Sequence, residues 1–127
     1  MITRIVTIAQ QHIDTAVIRE AGEIIRAGGL VAFPTETVYG LGGDALNPES
    51  SKKIYEAKGR PSDNPLIVHI AGMEALPAIV REVPETAKKL AKAFWPGPLT
   101  MILEKAEAVP ARMLLPVFLR SPALPAQ

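Results

Sequence analysis

Three stretches of this sequence put charged, hydroxyl or imidazole groups where an α/β sheet would offer them to a ligand. One is Lys58–Gly59–Arg60–Pro61–Ser62–Asp63–Asn64–Pro65. Positions two apart do not face each other on a helix. Gly59 is a helix stop, however, and Pro61 pushes Arg60 into extended geometry. Alternate residues of an extended segment lie on one side, so Lys58 and Arg60 can converge on one anion. A compact ammonium beside a planar guanidinium suits polyphosphate, and Asn64 can add neutral hydrogen bonds. The competing reading is a solvated basic helix end whose lysine offsets the helix dipole.

Another is Pro34–Thr35–Glu36–Thr37–Val38–Tyr39–Gly40–Leu41–Gly42–Gly43–Asp44, which places hydroxyls and a carboxylate directly after an apolar run. Gly40, Gly42 and Gly43 are expected to let backbone approach a ligand closely; the plain alternative is a tight turn with solvated polar residues. Neither a phosphate-binding Gly-x-x-x-x-Gly-Lys-Ser/Thr loop nor a Gly-x-Gly-x-x-Gly fingerprint occurs. The third is His69, near the end of Leu66–Ile70, sharing a face with Ile67 and opposite Leu66, Val68 and Ile70. It is either a ligand contact or a rim histidine bonded to backbone. Trp95, followed by Pro96–Gly97–Pro98, reads as a rigid structural corner.

The elements that must position these groups follow from pattern and punctuation. Arg4–Ala9 reads as a short strand. Asp14 caps a helix with Val17, Ala21, Ile24 and Ile25 on one face, ended by Gly28–Gly29. Leu30–Phe33 is continuously apolar, as a strand buried on both faces should be. Asn47–Pro48–Glu49 is a strong helix start, with Ile54 and Ala57 as candidate core residues and Gly59 as the stop. Leu66–Ile70 reads as a strand, Met73–Val80 as a short helix, and Pro84 opens a helix with Ala87, Leu90, Ala91 and Phe94 on one face. Leu99–Leu103 is the next strand. This alternation predicts an α/β fold, and such sheets bind ligands beyond the carboxyl ends of their strands.

Composition narrows the function classes. The 127 residues suit one domain, and 48% apolar content suits a packed core. Absence of cysteine excludes disulfides, thiolate metal sites and a cysteine nucleophile, and two histidines leave little for a metal centre. A net charge of +1 gives no strong field toward nucleic acid or membrane. With no signal peptide and no membrane-length apolar run, a cytoplasmic protein is expected. From residue 109 the tail holds four prolines and no acid; prolines at that density exclude a long helix or a central strand. The expected division is residues 1–110 as a partial domain and 111–127 as a divergent Pro-rich tail.

Taken together, Leu30–Gly43 with Phe-Pro-Thr-Glu-Thr-Val-Tyr-Gly-Leu at its centre, Lys58–Gly59–Arg60–Pro61, Asn64–His69 and Trp95–Thr100 resemble the YrdC-like family. The resemblance covers roughly the first 105 to 110 residues. It implies a twisted mixed sheet with flanking helices, similar to dihydroxybutanone phosphate synthase. It implies an enzyme, a nucleotidyltransferase that makes threonylcarbamoyl-AMP from L-threonine, bicarbonate and ATP, with pyrophosphate leaving. The product feeds t6A modification of tRNA adenosine 37 through separate transfer proteins. Residue by residue, the resemblance implies that Lys58 and Arg60 hold ATP phosphates and do the catalytic work. Asn64 should contact ATP, and Thr37, His69 and more weakly Thr35 should contact L-threonine. Magnesium would be held mainly by ATP oxygens, with no metal site in the protein.

The family's domain is longer than this chain. Its later threonine-gripping arginine and downstream Ser-x-Asn are not found here; Ser62–Asp63–Asn64 has the spacing but not the place. The domain is therefore expected to be incomplete at its C-terminus, and its nucleotide site with it. Alternatives of other classes are a double-stranded RNA or tRNA-binding YrdC-like module and an inactive fragment. Binding that collapses with salt and needs no ATP marks the first.

Overall fold

The structure is a computed structural model; it describes residues 2–35, 38–59, 66–97 and 99–110, and the backbone of 116–119. The first regular element is helix α1 (Thr15–Arg26). Asp14 starts it as read, its carboxylate accepting from Ala16 N at 3.0 Å and Val17 N at 3.4 Å. Gly28, at φ 90°, turns the chain out of it. Residues 2–8 have no regular structure, so the expected strand over Arg4–Ala9 does not form. A strand needs a partner ladder, and here there is only a bridge between Ala9 and His12. Ile2 and Ile5 stand 98% and 91% exposed.

Strand β1 (Val31–Phe33) pairs antiparallel with β2 (Gly40–Gly42), with Phe33 opposite Gly40 and Val31 opposite Gly42. The pair is a sheet of its own, with Ala32 exposed and Val31 and Phe33 half-buried. The continuous apolar run therefore marks a half-buried ribbon, not a strand covered on both faces.

Helix α2 (Pro48–Lys58) begins at Asn47, whose side chain accepts from Glu49 N at 3.0 Å. It ends at Gly59 in the left-handed region, φ 60° and ψ 30°, with the Gly59 N–H donating to the Glu56 and Tyr55 carbonyls. Ile54 and Tyr55 are buried; Ala57, expected in the core, is exposed, at the edge of the face that Ser50, Ser51, Ile54 and Tyr55 bury. Lys53 Nζ donates to Gly28 O at 2.8 Å, tying α2 to the end of α1, where a cation meets the negative pole of that helix.

The second sheet holds β3 (Val68–Ile70), β4 (Thr100–Ile102) and β5 (Pro116–Leu119) in the order β3-β5-β4. β5 is parallel to β3 and antiparallel to β4. A central strand in the proline-rich tail contradicts the expectation drawn from proline density. Pro116 is the first residue of the strand, a position where a missing N–H is tolerated.

Between β3 and β4 the chain runs through a 3-10 turn (Met73–Ala75), α3 (Leu76–Ile79) and α4 (Glu85–Phe94). The main core lies here. Val68 and Ile70 of β3, Leu76 and Ile79 of α3, Ala87 and Ala91 of α4, Trp95 and Met101 pack together, with Leu76 fully buried. Ala87 and Ala91 face the core as read, whereas Leu90 and Phe94 are exposed, so the buried stripe of α4 is narrower than its apolar stripe. Trp95 makes the expected corner, its indole N–H donating to Leu99 O at 2.8 Å. Gly97 is required there, since a Cβ would fall 2.5 Å from Phe94 O.

Candidate functional site

His69 sits in the middle of β3 with its neighbours Val68 and Ile70 buried, 3% and 8% exposed, and its own side chain exposed. The alternation read in the sequence is therefore present: two residues point into the core and hold the strand, and His69 points out. Its ring meets Phe33, the last residue of β1, edge-on, with centroids 6.4 Å apart and planes at 72°. Phe33 is not the sole partner of His69. The carboxyl end of β1 and the β3 strand, which belong to different sheets, are thus brought together at this pair.

Immediately after Phe33 the chain turns. The Thr35 hydroxyl donates to Val38 O and accepts from Val38 N at 3.2 Å, closing the segment between β1 and β2. Thr35 is therefore at the expected strand end, with its side chain engaged in shaping the turn. Thr37, two residues further, lies outside the described residues.

The glycines after this turn do something other than expected. A Cβ on Gly40 would come 3.0 Å from the Phe33 ring, and one on Gly42 would come 2.8 Å from it. The Phe33 ring thus lies over β2 and fills the space that two side chains would take. Gly43 lets α2 approach: a Cβ there would meet Leu30 at 3.0 Å and Ser50 Cβ at 3.2 Å. All three glycines serve packing against protein groups, where the sequence suggested close approach to a ligand. The signal that could have shown this is cross-strand register, since Phe33 opposite Gly40 and diagonal to Gly42 is an aromatic ring covering glycines.

Lys58 occupies the last turn of α2 and is exposed, just before the αL break at Gly59. The helix stop on which the phosphate reading depends is therefore present. Arg60 and Asn64, the other members of that reading, lie outside the described residues. One turn before Lys58, Tyr55 is 5% exposed and anchors this end of α2; sequence reasoning did not single it out. Among the described residues no three His, Cys, Asp or Glu side chains gather to hold a metal ion. Also among the described residues, no helix is long and apolar enough to cross a membrane.

The chain is 58% identical over 101 residues to a threonylcarbamoyl-AMP synthase of Pyrococcus abyssi, covering 80% of this chain and 30% of that protein. It is 57% identical over 97 residues to the threonylcarbamoyl-AMP synthase of Bacillus subtilis, covering 76% and 28%. The chain thus spans about 30% of the length of the curated relatives it matches. The fold matches a crystal structure of P. abyssi Sua5 complexed with L-threonine, with a TM-score of 0.79 and 55% identity over 89% of this chain and 34% of that one. It also matches the solution structure of the MTH1692 protein from Methanobacterium thermoautotrophicum, with a TM-score of 0.62 and 28% identity over 98% and 58%. The family model for Sua5/YciO/YrdC, described as "Telomere recombination", matches residues 23–117. With three quarters of its length matched, and with the mixed α/β architecture that the resemblance implied, the chain belongs to the Sua5/YciO/YrdC family.

Proposed function

We propose that this chain supplies the amino-acid pocket and one side of the phosphate site of a threonylcarbamoyl-AMP synthase. The observation that carries this reading is the meeting of Phe33 and His69, which joins the carboxyl end of β1 to the middle of β3 in a chain similar to a Sua5 solved with L-threonine. In this reading L-threonine lies at the carboxyl end of β1, against the exposed face of β3. His69, Thr37 and, more weakly, Thr35 contact it. ATP lies at the C-terminal end of α2, where Lys58 and Arg60 take the phosphates and Asn64 adds a neutral contact.

The chemistry then needs no side-chain nucleophile. The amine of L-threonine takes up bicarbonate, losing water, to give a carbamate. A carbamate oxygen attacks the α-phosphorus of ATP; the bond to the β-phosphate breaks and pyrophosphate leaves with the electron pair. Negative charge grows on the α-phosphate and on pyrophosphate, and fixed cations placed beforehand stabilise it. Lys58 and Arg60 are the cations this chain offers. Magnesium, held mainly by ATP oxygens and not by side chains of this chain, would lower the charge on the triphosphate.

The same reading makes the enzyme a cytoplasmic nucleotidyltransferase that passes its product to t6A-transfer proteins acting on tRNA. Residues 1–110 form part of a YrdC-like domain in it, followed by the Pro-rich tail of 111–127, of which residues 116–119 pair as β5.

The test is L-threonine-dependent release of pyrophosphate from ATP by a full-length protein carrying this segment. Lys58→Ala or Arg60→Ala is expected to lower it by about 100-fold or more, the usual effect of removing one transition-state donor. Unchanged release would remove the helix end from the phosphate site.

A further inference from the structure

The sheet geometry points to Phe33 as the residue that positions the His69 imidazole, with the bare backbone of Gly40 and Gly42 as the floor on which its ring rests. We infer this as a deepening of the threonine-pocket reading, on which it depends.

His69 is exposed, and an exposed imidazole has several rotamers open to it. Contact with a ring fixed in place removes some of them. Phe33 can act this way because its own ring is confined. It is held at the carboxyl end of β1 by pairing with Gly40, and its ring atoms fill the positions that side chains at 40 and 42 would occupy, with clearances of 3.0 Å and 2.8 Å. At such distances even an alanine forces the ring to move. The ring also meets His69, at 6.4 Å between centroids and 72° between planes, an edge-to-face pair of normal dimensions. The two glycines, the phenyl ring and the imidazole form one line of contacts, running from β2 across β1 to β3. Displacing any layer displaces the group that the reading places on the amino acid.

A packing role alone predicts that changes at Phe33 alter stability only. A positioning role predicts that they alter His69 and its ligand even when the protein remains folded. Aromatic pairs contribute about 0.5–1.5 kcal/mol, so loss of the contact is expected to weaken L-threonine binding by roughly 2- to 13-fold.

The experiment compares the purified wild-type chain with Phe33→Leu, Phe33→Tyr, Gly42→Ala and His69→Ala. Two readouts are taken: L-threonine affinity, and the imidazole proton resonances. The chain has two histidines, so His69→Ala assigns the His69 signals directly. The inference predicts that Phe33→Leu shifts the His69 resonances and weakens L-threonine binding within that range, while Phe33→Tyr keeps both near wild type. Gly42→Ala, if it folds, should behave like Phe33→Leu. Unchanged L-threonine affinity in a folded Phe33→Leu, whatever shift the lost ring current gives the His69 signals, alongside weakened binding in His69→Ala, overturns the positioning role and leaves the pocket reading standing. A wild-type chain that does not bind L-threonine overturns both.

Discussion

Gly59 and Gly22 show how differently two glycines of one protein act. Gly59 closes α2 at φ 60°, a conformation that costs other L-residues about 1–2 kcal/mol, with no atom within 4 Å of where its Cβ would stand. Gly22 lies inside α1 at negative φ, again with open space around it. Gly59→Ala is therefore expected to lower stability by about 1 kcal/mol through backbone strain alone. Gly22→Ala should raise it by about 0.5–1 kcal/mol by removing freedom from the unfolded chain. Urea midpoints at constant slope check both signs. The Gly59 stop was legible because a glycine after a helical period, with a proline two residues on, is a local signal. The roles of Gly40 and Gly42 were not, since their spacing alone does not say whether a ligand or a phenyl ring will fill the space. That answer came from the cross-strand partner.

At the scale of elements, helix starts were the clearest part of the sequence. Asp14 and Asn47 cap α1 and α2 as read, because capping uses only a side chain and backbone two or three residues away. Asn47→Ala is expected to cost about 1 kcal/mol and Asn47→Asp almost nothing, measured by thermal or urea unfolding. Strands were less legible. Arg4–Ala9 has the composition of one but finds no ladder, and β5 lies between β3 and β4 although it begins with a proline. Strand formation is decided by partners distant in sequence, which composition cannot supply. His69 is the exception: its outward direction follows from the alternation of Leu66–Ile70, and Val68 and Ile70 in the core enforce it.

Considered as a whole, the described residues divide between a two-stranded ribbon with α1 and α2, and a three-stranded sheet packed on α3 and α4. The candidate pocket belongs to neither alone. Phe33 comes from the ribbon and His69 from the larger sheet, and their contact brings the end of β1 against the exposed face of β3. That convergence was only partly visible in the sequence. The two segments proposed to face phosphate and threonine could each be picked out, but no local pattern shows that β1 ends beside β3. The chain also corresponds to about 30% of the length of its curated synthase relatives, so of the proposed steps the one it can be asked to show by itself is binding of the amino acid. Calorimetric titration of the purified chain with L-threonine tests this most directly. The expected result is saturable binding at one site, lost or weakened at least tenfold in His69→Ala while the variant's unfolding midpoint stays near wild type. Absence of binding, or equal affinity in the folded His69→Ala chain, would contradict it.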